Sequence, residues 1–174
     1  MKFFPLLLGV LVSLVPARAE DPATFDVGGL KFTRPADWKW VEVSSPMRKA
    51  QLQVPGTPLG ADITFFHFGT GGGGDVDANV KRWLGQFKSA EGAQKIEPQQ
   101  IGGTKVTLVT TEGTFSSGMP GGPTTALESQ ALLGAIIEGA EGNVFVKMTG
   151  PAPLVQSSRP KFLEFITAAV STKK

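Results

Sequence analysis

The sequence predicts an α+β domain, a mainly antiparallel β-sheet flanked by helices, and three observations carry that reading. Short segments of period-two alternation follow one another along most of the chain. Glycine turns at Gly28-Gly29, Gly102-Gly103 and 139–142 join several of them in the way antiparallel hairpins are joined. Two segments, 76–88 and 155–170, change to the helical period.

In chain order, residues 20–24 form a short tail, and 25–33 an extended pair around Gly28-Gly29 with Phe25, Val27, Leu30 and Phe32 as its apolar residues. Pro35 ends it. Residues 38–43 alternate Trp38, Trp40 and Glu42 against Lys39, Val41 and Val43, a strand by period. Ser44-Ser45-Pro46 breaks that strand, and 49–54 then place Ala50, Leu52 and Val54 on one face. After the Pro/Gly turn 55–60, residues 61–68 set Ile63, Phe65 and His67 against Thr64, Phe66 and Phe68. A strand apolar on both faces belongs in the middle of a covered sheet.

The stretch 69–87, GTGGGGDVDANVKRWLGQF, is the joint of the chain: a strand stops, a glycine loop turns and an amphipathic helix begins. Val76, Val80, Trp83, Leu84 and Phe87 share one apolar arc, and Asp75 is a natural N-cap. Beside that arc, at helical spacing, Asp75, Asn79, Arg82 and Gln86 form one polar ridge. Residues 95–101, 104–115, 131–138 and 143–149 read as further strands. Between Phe115 and Leu127 the composition SSGMPGGPTTA predicts a long loop, 116–126, that could cover the ridge. Gly150-Pro151-Ala152-Pro153 stops the sheet, and the terminal helix 155–170 buries Phe162, Phe165, Ile166 and Ala169.

At 174 residues the chain suits one domain, 25–174, behind a leader. Lys2, the apolar run 3–16 and Ala17-Arg18-Ala19 have the layout of a secretory signal peptide, 1–19, cut after Ala19. The run is shorter than the roughly 20 residues a spanning helix needs, so no membrane insertion is expected after cleavage. A secreted or periplasmic location follows. Loss of Lys2 and Arg18 leaves fifteen basic against fifteen acidic residues, which together with the lack of a basic run argues against nucleic acid as a partner. With no cysteine the chain has no disulfide, thiolate metal site or thiol nucleophile.

The element order resembles that of the Mog1/PsbP-like α/β/α sandwich, and three motifs add to the likeness. Phe32-x-x-Pro35-x-x-Trp38 resembles the aromatic–proline–tryptophan opening of that superfamily, and Asn79-Val80-x-x-Trp83 its first-helix pattern. Phe145-Val146-Lys147-Met148-Thr149-Gly150-Pro151 resembles the late strand before its terminal helix. The resemblance covers most of the mature chain and implies a fold and a habit of binding and assembly. Members include a nuclear transport factor that binds a small GTPase and extrinsic subunits of the oxygen-evolving photosystem. No functional residue carries over from either branch.

Catalytic and cofactor readings each lack a required residue. Gly69-x-Gly71-x-x-Gly74 fits the dinucleotide fingerprint literally, but four consecutive glycines make the spacing almost automatic, and Pro98 with a following hairpin speaks against a parallel βαβ unit. Asp75-x-Asp77-x-Asn79 opens like a calcium loop, yet Val80 and Gln86 stand where glycine and a bidentate glutamate belong. His67 is the sole histidine, which rules out a multi-histidine metal site, and no G-x-S-x-G turn supports a hydrolase triad. The tryptophans read as core. No metal and no cofactor is expected. The sequence therefore points to an exported, non-enzymatic binding or assembly module that meets a protein partner or small ligand at Asp75, Asn79, Arg82 and Gln86. The alternatives are a hydrolase or other enzyme built around His67 and nearby acids, and a structural envelope protein without a ligand.

Overall fold

The computed structural model describes residues 21–118 and 123–171; the expected signal peptide, 1–19, lies outside them. Ten strands and two helices follow in the order β1 (Thr24–Val27), β2 (Leu30–Thr33), β3 (Lys39–Trp40), β4 (Arg48–Val54), β5 (Ala61–His67), α1 (Val76–Leu84), β6 (Phe87–Lys88), β7 (Lys95–Ile101), β8 (Thr104–Gly118), β9 (Thr124–Ile137), β10 (Val144–Pro151) and α2 (Ala152–Ser171). β1 and β2 form a separate hairpin across Gly28 and Gly29, whose φ angles of 56° and 75° are those a two-residue turn of this hand requires. The other strands make one sheet in the order β3-β4-β5-β10-β9-β8-β6, with β7 also on β8. Each pairing is antiparallel. The molecule is thus α+β with a mainly antiparallel sheet and helices against it.

Alternation divides the sheet into two faces of different character. One carries Leu52, Ile63, Phe65, Leu108, Leu133, Ala135, Val146 and Met148, all buried beneath α2 and the β1–β2 hairpin. Phe165 of α2 packs there with its ring centroid 5.2 Å from that of Phe32 and 5.3 Å from that of Trp38. The opposite face holds a smaller cluster, Val80, Trp83 and Phe87 against Val109, Leu132, Ile136 and Phe145. α1 supplies that cover and has nine residues, so it shields only part of the face.

The structure corrects four boundaries. The strand expected at 38–43 shrinks to Lys39–Trp40, because the Trp38 amide closes a turn by donating to the Pro35 carbonyl (3.0 Å) while its indole enters the core. The helix expected to reach Lys88 stops at Leu84, where the Gly85 amide donates to the Lys81 carbonyl. Phe87 and Lys88 then pair with Phe115 and Thr114, so Phe87 is buried from a strand. The loop expected at 116–126 is largely a continuation of the β8–β9 hairpin, with Ser116 opposite Ala126, Ser117 opposite Thr125 and Gly118 opposite Thr124. Hairpin register prevails over glycine and serine content, and residues 119–122 lie outside the described part. Finally α2 begins at Ala152, directly after Pro151; Pro153 sits in its first turn, where a missing amide leaves no intrahelical bond unmade.

Candidate functional site

α1 sits where it does because of one contact. A Cβ built on Gly134 of β9 would come within 2.4 Å of the Trp83 ring, so the indole lies directly on the glycine backbone. Trp83 also meets the ring of Phe145 edge-on at 6.4 Å. At the start of the helix, Asp75 adopts extended backbone and its Oδ1 accepts from the Ala78 amide at 2.7 Å. This is the expected N-cap, and it satisfies one of the free amides of the first turn.

The four ridge residues take different places. Asp75 and Arg82 are exposed and Gln86 is half-buried, but Asn79 is only 1% exposed. Its Nδ2 donates to the carbonyls of Gly73 and Asp75, both at 2.8 Å, and its Oδ1 accepts from Arg82. Asn79 therefore ties the glycine loop to the helix and holds the Arg82 guanidinium; it is not open to a ligand from outside. Gln86, just past the helix, accepts from the Ser116 amide through its backbone carbonyl (2.8 Å) and from the ammonium of Lys147 through Oε1.

Lys147 is the residue the sequence reading did not single out. It stands in β10 opposite Thr64 of β5 and Gly134 of β9, on the same face as Phe145. Its Nζ lies 5.4 Å from the centroid of the Phe115 ring, a cation–π distance. Burial, and to a smaller extent the positive charge of Arg82, lower its pKa to about 8. The two ion pairs found among the described residues, Arg159–Glu97 and Lys161–Asp37, involve neither Lys147 nor Arg82. The available signal was its alternation: a lysine placed between Phe145 and Thr149 must face the side of the sheet that α1 occupies.

Beyond α1 that face is polar and partly exposed, with Arg48, Gln53, Thr64, Lys147 and Thr149 half-buried and Gln51 buried. Arg48 donates to Gln51 at 2.6 Å, Gln53 donates to Asp62 at 3.4 Å, and Thr64 Oγ1 donates to the Lys147 carbonyl at 3.3 Å. Arg48, Arg82 and Lys147 give it three cations, and Asp62 is an exposed acid at its far end.

The other candidate residues lie elsewhere. His67 is half-buried on the Phe65 side of β5, its Nε2 3.1 Å from the Glu141 carbonyl and its ring against Gly28. The glycine loop and Asp75 border a separate cleft of about 400 Å³ with Gly139, Ala140 and Asn143. A strand–loop–helix–strand order is present at Gly69–Gly74, but the next strand, β6, lies across the sheet from β5, with β10, β9 and β8 between them and each paired antiparallel to its neighbours, so the βαβ unit of a dinucleotide fold is not formed. Among the described residues no three His, Cys, Asp or Glu side chains gather as metal ligands would. A cleft of about 500 Å³ between β7, β8 and α2 has its rim braced by Arg159 to Glu97 at 2.8 Å and Gln156 to Glu112 at 2.5 Å. No helix among the described residues is long and apolar enough to cross a membrane.

No family model and no curated protein matches the chain. Among solved structures it is similar to the crystal structure of PA94 from Pseudomonas aeruginosa, a protein of unknown function, at 12% identity over 85% of this chain and 95% of that one, with a TM-score of 0.42. A likeness of that size carries no argument about activity.

Proposed function

We propose that the chain is an exported, non-enzymatic binding module of Mog1/PsbP-like type, secreted or periplasmic once residues 1–19 are removed. Its contact surface combines α1 with the uncovered half of the neighbouring sheet face. One observation carries the reading: α1 stops short, and beside it the cations Arg82 and Lys147 face the opening with neutral partners instead of carboxylates. Clustered charge of one sign next to an open polar floor favours a partner that supplies the opposite sign. The half-buried Lys147 is more usefully placed for recognition than for stability, because desolvating a charge without a counter-ion is unfavourable.

The test is affinity capture by residues 20–174 from the native envelope fraction, comparing wild type with an Arg82→Gln/Lys147→Met variant of equal thermal stability. A specific partner held by wild type and lost by the variant supports the module. Equal capture by both, or none by either, removes it. Asn79 is left intact in this comparison because its burial makes it a folding residue. The mass of the exported protein, expected to begin at Glu20, checks the signal peptide independently.

A further inference from the structure

We propose that Arg82 and Lys147 receive carboxylates of an acidic peptide segment of a partner protein, laid over the open sheet face beside α1. The proposal rests on the binding-module reading and names the chemistry of its partner.

Three features of the face point to an anion carried on an extended chain. First, both cations are positioned by neutral groups: Lys147 by Gln86 Oε1 and the Phe115 ring, Arg82 by Asn79 Oδ1. The fold fixes these charges in place without neutralising them, and a fixed guanidinium offers a carboxylate two parallel N–H donors. Second, the floor next to them carries the half-buried amide of Gln53 and the hydroxyls of Thr64 and Thr149, which suit peptide groups in either donor or acceptor role. Third, Arg48 adds a further cation beside Gln51, whereas Asp62 is exposed and already accepts from Gln53. Clefts of about 500, 630 and 400 Å³ are lined by other residues and include neither Arg82 nor Lys147.

The state of Lys147 gives the proposal a distinctive signature. Of the charged groups on the elements packed around it, Arg82 of α1 is the one that bears on its titration; none from β5, β8 or β9 does. Free Lys147 loses its proton near pH 8, and a bound carboxylate would favour the ammonium and raise that value. Binding should therefore take up protons above pH 8 and weaken up to about ten-fold per pH unit there.

The experiment is titration calorimetry of residues 20–174 with a deca-glutamate peptide between pH 7 and 9.5, with deca-glutamine and inorganic phosphate as comparison probes. Expected are binding of deca-glutamate but not of deca-glutamine, a loss of about ten-fold or more in Lys147→Met and in Arg82→Gln, and retention in Lys147→Arg without the fall above pH 8. Absence of deca-glutamate binding, equal binding by Lys147→Met, or the same pH profile in Lys147→Arg overturns the proposal. Phosphate binding as tight as the peptide, through the same two residues, overturns the peptide as occupant. A captured partner that depends on Arg82 and Lys147 yet docks without an acidic segment would leave the module standing and overturn this inference alone.

Discussion

Replacing Asn79 by alanine is the sharpest test of how the site is held. The side chain is 1% exposed and uses both ends of its amide, donating to Gly73 and Asp75 and accepting from Arg82. In the alanine variant the Asp75 carbonyl keeps the backbone donor of residue 79, which reaches it at 3.2 Å. The Gly73 carbonyl loses its side-chain donor, and Arg82, being exposed, exchanges its partner for water. A lost interior hydrogen bond with an unsatisfied acceptor costs about 1–3 kcal/mol, and the Arg82 contact adds little, so the sum is about 2 kcal/mol. For a domain of this size that is a fall of about 4–8 °C in Tm. Urea and thermal unfolding of residues 20–174 measure it, with Lys81→Ala, an exposed side chain on the same helix, as control at below about 0.5 kcal/mol. If Asn79→Ala cost no more than Lys81→Ala, the amide would not be fastening the loop, and the account of how Arg82 is aimed would fail with it.

Three further outcomes follow from the same contacts. Gly134→Ala drives a methyl to within 2.4 Å of the Trp83 ring, so α1 must shift; a loss of about 1–3 kcal/mol with altered tryptophan fluorescence is expected, and unchanged emission would refute the stacking. Asp75→Ala removes the cap on the Ala78 amide and should cost about 1 kcal/mol in urea unfolding, while Asp75→Asn retains most of it. Lys147 has a folded-state pKa below its unfolded value, so between about pH 8 and 10.5 the unfolded chain holds the extra proton and stability rises with pH. Lys147→Met should abolish that rise and be no less stable than wild type at pH 7, readable from urea midpoints at pH 7, 8.5 and 10.

The strands were legible wherever side-chain alternation had two readable faces. β4, β5, β7 and the β1–β2 hairpin lie within a residue of where period and turn chemistry place them. The failures have a common cause, which is that a partner remote in sequence outweighed the local pattern. Phe87 continues the helical arc on paper, but Phe115 offers it a strand to pair with and a ring 4.9 Å away, and Gly85 offers no resistance to leaving the helix. Residues 116–118 and 124–126 look like loop from composition, yet they continue the β8–β9 pairing past an irregularity between Gly113 and Phe115, in step with Phe115 opposite Leu127.

The site shows the same division more strongly. Helical spacing groups Asp75, Asn79, Arg82 and Gln86 on one ridge, but Asp75 borders a separate cleft, Gln86 lies past the end of α1 and Asn79 is buried where it bonds the glycine loop, none of which the spacing reveals. Lys147 escaped notice because nothing within its own strand marks it; its meaning comes from Gln86, 61 residues earlier, and from Phe115. A glutamate or leucine would satisfy the strand pattern at 147 about as well, and leucine would avoid desolvating a charge. That α1 ends at Leu84 and that Gln86 then reaches the lysine with a neutral oxygen are two independent features leaving one half-buried ammonium without a carboxylate partner among the described residues. A fold selected for stability alone would close this face or pair the charge; the geometry here does neither, and it is on that account that the face is read as a surface for an anionic partner.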